Sequence, residues 1–182
     1  VADRLGRTTR GAVQCLHRPG KLGLGSAYLQ GFAHALKQGA EVVVQMDADL
    51  SHPIDKIPGM LKLLARYDIV IGSRYVPGGS LDERWSPFRR WLSAFGNTYA
   101  RTILRLPVRD VTGGFKAWCA SALKQMPFGA IRSNGYVFQV EMNYAASRLG
   151  LTSIDIPIHF AERTRGRSKM NFRIQLEAAL QV

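Results

Sequence analysis

Asp47 and Asp49 stand one residue apart, directly after the apolar, β-branched run Val42-Val43-Val44 and its continuation Gln45-Met46. A buried strand has no use for carboxylates, because desolvating an Asp without a partner is costly. In an open α/β sheet, ligands gather outside the carboxyl ends of strands, which is where this pair falls. Two hard oxygen donors there suit Mg2+ or Mn2+ carrying a diphosphate, since Mg2+ typically uses one or two carboxylates together with substrate phosphates. The same residues would also serve as a solvated turn capping the next helix.

Other residues with chemical potential follow strands or open helices. Arg74 ends the strand pattern Asp68–Tyr75, two residues after Gly72, as either a phosphate fork or a solvated cation. Arg89 and Ser93 are four apart and share one helix face. Beside free helix N–H groups they make an anion pocket or, equally, an exposed polar face. In the same helix Phe88, Leu92, Phe95, Tyr99 and Ile103 read as the core stripe. Asp110-Val111-Thr112-Gly113-Gly114-Phe115 sets consecutive glycines before an aromatic, as expected where backbone approaches a ligand closely. Gln139 and Glu141 fall at a strand-to-helix junction, where Glu141 lines a site or simply favours the helix N-terminus. Arg163, Arg165, Arg167 and Lys169 surround Gly166 in a basic loop suited to closing over a phosphorylated substrate, or in a solvated charge run. The glycines between Gly20 and Gly25 lack both the P-loop ending and the Rossmann spacing, which leaves a tight turn as the competing reading. The four histidines, His17, His34, His52 and His159, show no ligand spacing and read as structural, with His52 of interest for its place beside the carboxylates.

The elements that must position these groups alternate. Short strands are expected at Val13–Leu16, at 42–46, at 68–75 and around Ile154, Ile156 and Ile158. Helices are expected at 26–37, 57–67, 87–106, 140–149 and, amphipathically, over Asn171–Val182. The pattern argues one α/β domain over residues 1–182, a mostly parallel sheet with helices on both faces. A chain of 182 residues, 46% hydrophobic, supports one core of that size. The 25 basic against 13 acidic residues, net +12, call for an anionic partner: nucleic acid, a lipid surface or a phosphorylated substrate. No apolar stretch is long enough to span a membrane, no secretory signal pattern opens the chain, and Cys15 and Cys119 fit a reduced cytoplasmic setting. The chain opens Val1-Ala2-Asp3, in what reads as the tail of a helix, so an N-terminal piece is expected to be missing.

Taken in order, DADLSHP, IGSRYVPGG, RRWLSAFGN, DVTGGFKAW, GYVFQVEM and ERTRGRSKM resemble the dolichyl/polyprenyl-phosphate mannose synthases, inverting glycosyltransferases of the GT-A fold. The resemblance runs from about Leu16 to Met170. It implies transfer of mannose from GDP-mannose to a polyprenyl monophosphate. It further implies that Asp47 and Asp49 handle the donor diphosphate and metal, with Ser51 a weaker ligand where some members carry Gln. Arg74, Arg89 and Ser93 would hold the acceptor phosphate. Gly113, Gln139 and Glu141 would line the site, and Arg163, Ser168 and Lys169 would belong to the closing loop. The family's opening Pro-Thr-x-Asn-Glu strand and the following Asp-Asp strand are absent here, which would leave the donor pocket without one wall.

The chemistry is consistent on its own terms. A phosphate monoester has a second pKa near 6 and is mostly dianionic at neutral pH, so it needs no general base. What it needs is charge management from a metal and from Arg and Lys. Two alternatives stand beside mannosyl transfer: the same transfer from UDP-glucose, and a basic nucleic-acid-binding module, which the absence of any recognition motif disfavours. The charge, with Arg84, Arg89 and Arg90 beside Trp85, Phe88 and Trp91, also predicts peripheral binding to anionic lipid at the cytoplasmic face. A membrane subunit or a fused membrane domain is the other route to such an acceptor.

Overall fold

The computed structural model describes residues 2–9, 12–133, 135 and 137–162. Arg163, Ser168, Lys169 and the helix expected over Asn171–Val182 lie outside the described residues. In chain order the elements are α1 (Ala2–Thr8), α2 (Leu24–Lys37), β1 (Val42–Gln45), a 3-10 turn (Ile54–Lys56), α3 (Ile57–Leu63), β2 (Ile69–Ser73), β3 (Ser80–Leu81) and α4 (Pro87–Ile103). There follow β4 (Lys116–Cys119), α5 (Ala120–Gln125), α6 (Val137–Arg148), β5 (Ser153–Pro157) and β6 (His159–Phe160).

The main sheet has the order β1-β4-β2-β5. β2 runs parallel to β5, and β4 is antiparallel to both β1 and β2, so three of the four strands point the same way and β4 alone is reversed. Sequence reading passed over β4, because four residues opening with Lys116 and following two glycines carry no strand periodicity. β2 is buried throughout, as a central strand covered on both faces requires. Ile69 and Ile71 pack with Phe32, Trp118, Leu123, Phe138 and Met142 on the side of α2, α5 and α6. Val70 packs the other way, with Met60, Phe115, Ala117 and Ile158 on the side of α3.

Local chemistry explains the helix starts. Ser86 caps α4 by accepting the Arg89 N–H at 3.3 Å, and Pro87 fills the first turn, where no N–H is needed. Gly25 is where α2 meets α6: a Cβ there would stand 2.9 Å from the Phe138 ring and collide with the Ser133 carbonyl. The glycine loop is therefore a close-packed helix start.

Two expectations fail. Val13–Leu16 forms no strand; no neighbour pairs with it among the described residues, and Leu16 stays exposed. The apolar stripe of α4 is not core either. Phe88, Phe95 and Ile103 are 62%, 52% and 50% exposed, together with Trp91 at 60%. The rings pack on each other along the helix, Phe88–Trp91, Trp91–Phe95 and Phe95–Tyr99, with centroids 6.2, 5.5 and 6.2 Å apart. The face turned inward is the one carrying Asn97 and Ala100. The Asn97 carboxamide donates to the Arg109 carbonyl at 2.7 Å and accepts the Val111 N–H at 2.8 Å. That satisfies two backbone groups of a connecting loop, which an aromatic side chain has no means of doing.

Candidate active site

The loop leaving β1 carries Asp47, Asp49, Ser51 and His52. Tyr28, from α2, donates its hydroxyl to Asp47 Oδ1 at 2.9 Å. Burial and then the Asp47 carboxylate push the Tyr28 phenol well above its ordinary range, so it stays a donor. The Asp47 N–H donates to His52 Nδ1 at 3.1 Å, and the Ser51 N–H donates to Asp49 Oδ1 at 3.1 Å. Burial lowers the His52 imidazole against the opposing pull of Asp47 and Asp49, and a neutral ring is what accepting at Nδ1 requires. His52 is thus structural, as read from the sequence, stacked on Phe115 at 5.2 Å. Leu50, between Asp49 and Ser51, takes φ +65, an uncommon left-handed conformation for a non-glycine residue. Ser51 is 1% exposed, and its Oγ is buried without a hydrogen-bond partner.

Across from this loop lies the turn Asp110–Phe115. A Cβ built on Gly114 would be 3.9 Å from each Asp47 carboxylate oxygen and 3.6 Å from Gln139 Nε2, so bare backbone faces both groups. Gly113 instead abuts the Asp110 carboxyl, 3.2 Å from where its own Cβ would stand. Gln139 is buried and accepts from Lys116 Nζ through Oε1 at 2.9 Å.

Arg74 is neither a free phosphate fork nor a solvated cation. Its Nε and Nη2 donate to the two Asp110 oxygens at 2.7 and 2.8 Å, Nη2 also reaches Thr112 Oγ1 at 2.8 Å, and its backbone N–H adds a bond of 3.0 Å to Asp110. Although burial works against ionisation, the Arg74 guanidinium holds the Asp110 carboxyl below the usual carboxylate range. Glu141 does not line the site; its carboxylate accepts the N–H groups of Arg132 and Ser133 at 2.8–3.2 Å and ties down the loop before α6.

Arg89 and Ser93 do share a face of α4. Ser93 Oγ bonds Tyr75 Oη at 2.7 Å. Arg89 Nη1 meets Glu162 at 2.9 Å while its guanidinium lies 3.5 Å over the Trp85 ring. A short aromatic chain joins this helix to the acidic loop, Trp85 to Phe160 at 5.9 Å and Phe160 to His52 at 5.3 Å. The Ala161 N–H bonds the Ser51 carbonyl at 3.1 Å, and Arg74 lies 5.5 Å over the Phe160 ring. Phe160 is a hub that no sequence signal marked. Trp85, expected on a lipid-facing surface, is 4% exposed inside this stack. Elsewhere, exposed Asp3, Cys15 and His17 bring ligand atoms within 4.8 Å of one another, a proximity that their spacing does not reveal.

The glycosyl transferase family 2 model matches residues 2–126. The chain is 43% identical over 171 residues to an undecaprenyl-phosphate mannosyltransferase of Micrococcus luteus, covering 94% of this chain and 70% of that protein. It is 40% identical over 173 residues to a polyprenol monophosphomannose synthase of Mycolicibacterium smegmatis, covering 94% of this chain and 64% of that one. It thus spans about two thirds of the curated relatives it matches. Among solved structures it resembles a Mycobacterium tuberculosis glucosyl-3-phosphoglycerate synthase in complex with Mn2+ and UDP-glucose, with a TM-score of 0.56 and 20% identity over 92% of this chain and 53% of that one. The last likeness speaks for the GT-A fold alone. With a family match over residues 2–126 and identities of 43% and 40% to those two relatives, the chain belongs to glycosyl transferase family 2, among the polyprenyl-phosphate mannose synthases.

Proposed function

We propose that the protein, at the length of its relatives, transfers mannose from GDP-mannose to a polyprenyl monophosphate with inversion, giving polyprenyl-phosphate β-mannose. The observation that carries this reading is the oxygen set on the loop after β1: Asp47, Asp49 and the partnerless Ser51 Oγ, with the bare backbone of Gly114 facing Asp47. All three donors are hard oxygens, and the buried hydroxyl is otherwise unsatisfied, so the set fits Mg2+ or Mn2+. Bound there, the cation would offset charge on the diphosphate as it leaves. The Mn2+ complex of the structural relative supports a divalent ion in this fold.

The chain's own residues do the rest. Tyr28 and the His52 ring hold the Asp47 carboxylate and backbone. Arg89 and Ser93 receive the acceptor phosphate, which takes the place of Glu162 at Arg89. The dianionic phosphate oxygen attacks the anomeric carbon in line, and the bond to the diphosphate breaks with its electron pair going to that leaving group. Arg74 acts through Asp110 and Thr112, fixing the turn that presents Gly114. Arg163, Ser168 and Lys169 lie outside the described residues, and the family resemblance assigns them to a loop that closes over the phosphates.

Among the described residues, no helix is long and apolar enough to cross a membrane. The proposed acceptor is a lipid, so the protein is read as peripheral at the cytoplasmic face. There α4, with three arginines and no acidic residue, offers Phe88, Trp91 and Phe95 to an anionic surface. The test is mass spectrometry of lipid products from the full-length protein given GDP-mannose and UDP-glucose in competition. Polyprenyl-phosphate mannose is expected; glucose transfer alone, or oligonucleotide binding without transfer, overturns the reading.

A further inference from the structure

Lys116 is the least expected residue of the interior. It opens β4, paired with Gln45 in β1 and Ile71 in β2, and it is fully buried. Strand alternation puts it on the same face as Trp118, toward α6. Its Nζ donates to Gln139 Oε1 at 2.9 Å and reaches the Gln139 carbonyl at 3.4 Å. Burial lowers its ammonium to about 7, against the pull of the Asp110 and Asp155 carboxylates. A buried cation is expensive unless its hydrogen bonds are used, and here both oxygens that Nζ reaches belong to one residue of the candidate site.

The chemistry of that contact fixes a direction. In its protonated form Lys116 has donors and no acceptor, which turns the Gln139 carboxamide oxygen toward it, the orientation seen in the 2.9 Å bond from Nζ to Oε1. Its NH2 end then points away, toward the space over Gly114, where an added Cβ would stand 3.6 Å from Nε2 and 3.9 Å from the Asp47 carboxylate oxygens. Among the described residues no acceptor bonds Nε2, which leaves two N–H donors beside the loop after β1. We propose that Lys116 is a positioning residue: it locks the Gln139 carboxamide so that Nε2 donates to the sugar or diphosphate of the nucleotide donor beside Asp47. The inference rests on the nucleotide-sugar reading above and deepens it by naming what sets the orientation of a donor-side contact.

The test is a double-mutant cycle on the full-length protein with Lys116→Met and Gln139→Leu, read alongside thermal melting and NMR. Each single variant should raise the donor KM about tenfold while the acceptor KM stays within about twofold, the loss expected for one hydrogen bond to a charged group. Because Lys116 acts through Gln139, adding Lys116→Met to Gln139→Leu should cost the donor nothing further. Additive losses, or equal losses on both substrates, would overturn the proposal and make Lys116 a structural residue. The NMR arm needs no activity. Substoichiometric Mn2+ should broaden the Gln139 side-chain amide pair in the wild-type protein, and Lys116→Met should shift that pair and change its broadening. An amide pair indifferent to Lys116→Met overturns the proposal even in a protein that transfers no sugar. A wild type that transfers nothing, with the pair still responding, refutes the transferase reading and leaves the Lys116–Gln139 orientation standing.

Discussion

Two acidic segments at the heart of the molecule use their carboxylates in opposite ways. Asp110 is fully buried and saturated, taking two bonds from the Arg74 guanidinium, one from the Arg74 backbone and one from Thr112. The loop from Asp47 to Ser51 is half-buried, bent through a left-handed Leu50, and keeps a hydroxyl without a partner. Both segments leave or flank strand ends, and both carry Asp. The difference is where the charge is used: Asp110 is consumed by the fold, whereas the loop after β1 keeps Asp47 and Asp49 half-buried beside a Ser51 hydroxyl that has no partner, the arrangement proposed above to take a ligand.

The sharpest way to break this contrast is Asp110→Ala. Removing one partner of a buried pair leaves Arg74 uncompensated, and the expected loss is about 3–5 kcal/mol in urea unfolding. The pH dependence has a fixed sign. The folded Asp110 carboxyl lies below its ordinary value of 3.8, so its contribution is present above that value and is lost as pH falls through the folded one. Acid unfolding that starts below about pH 4 in the wild type and is muted in the variant would bear this out. A stable Asp110→Ala protein would dissolve the comparison.

Asp49→Ala is the complementary test. Transfer should fall by roughly 10²–10³-fold, as for loss of a preorganised electrostatic group, while unfolding shifts by no more than about 0.5 kcal/mol. Full turnover at saturating metal would remove the loop from the site.

Arg89→Ala should come next in size. Loss of one charge-assisted contact is worth about 1.5–3 kcal/mol, or about ten- to a hundredfold in acceptor KM with donor KM little changed. Equal effects on both substrates would mean that Arg89 serves the Trp85 stack and Glu162 rather than the acceptor.

The smallest effect is expected on α4. Phe88→Ser with Trp91→Ser should weaken flotation with anionic vesicles about fivefold at low salt and leave the melting temperature unchanged, since both side chains are already in solvent. Trp85 is unsuitable for this experiment because its ring is buried against Phe160.

These contrasts also mark what was legible in the sequence. The DAD loop, the Ser86-Pro87 helix start and the buried strand at 69–73 follow from local rules, and all three are present. The fate of Arg74 was not legible, because its partner lies 36 residues away and one strand end looks like another. Glu141 was misread for the same reason: what it bonds is backbone on a loop outside its own helix. The stripe of α4 has the right period for a core, yet periodicity says only that one face is apolar and not that something covers it. Lys116 left no trace in a pattern reading, since a lysine at the start of a short strand ordinarily signals solvent.

The aromatic ladder of α4 has a practical consequence for anyone working with this protein in solution. The chain has three tryptophans, and Trp91 is exposed while Trp85 and Trp118 are buried. Its intrinsic fluorescence therefore divides into two buried emitters and one that iodide can reach. Whatever settles on α4 will shield that one indole and shift its emission to the blue, so the molecule carries its own label for the face where docking is proposed.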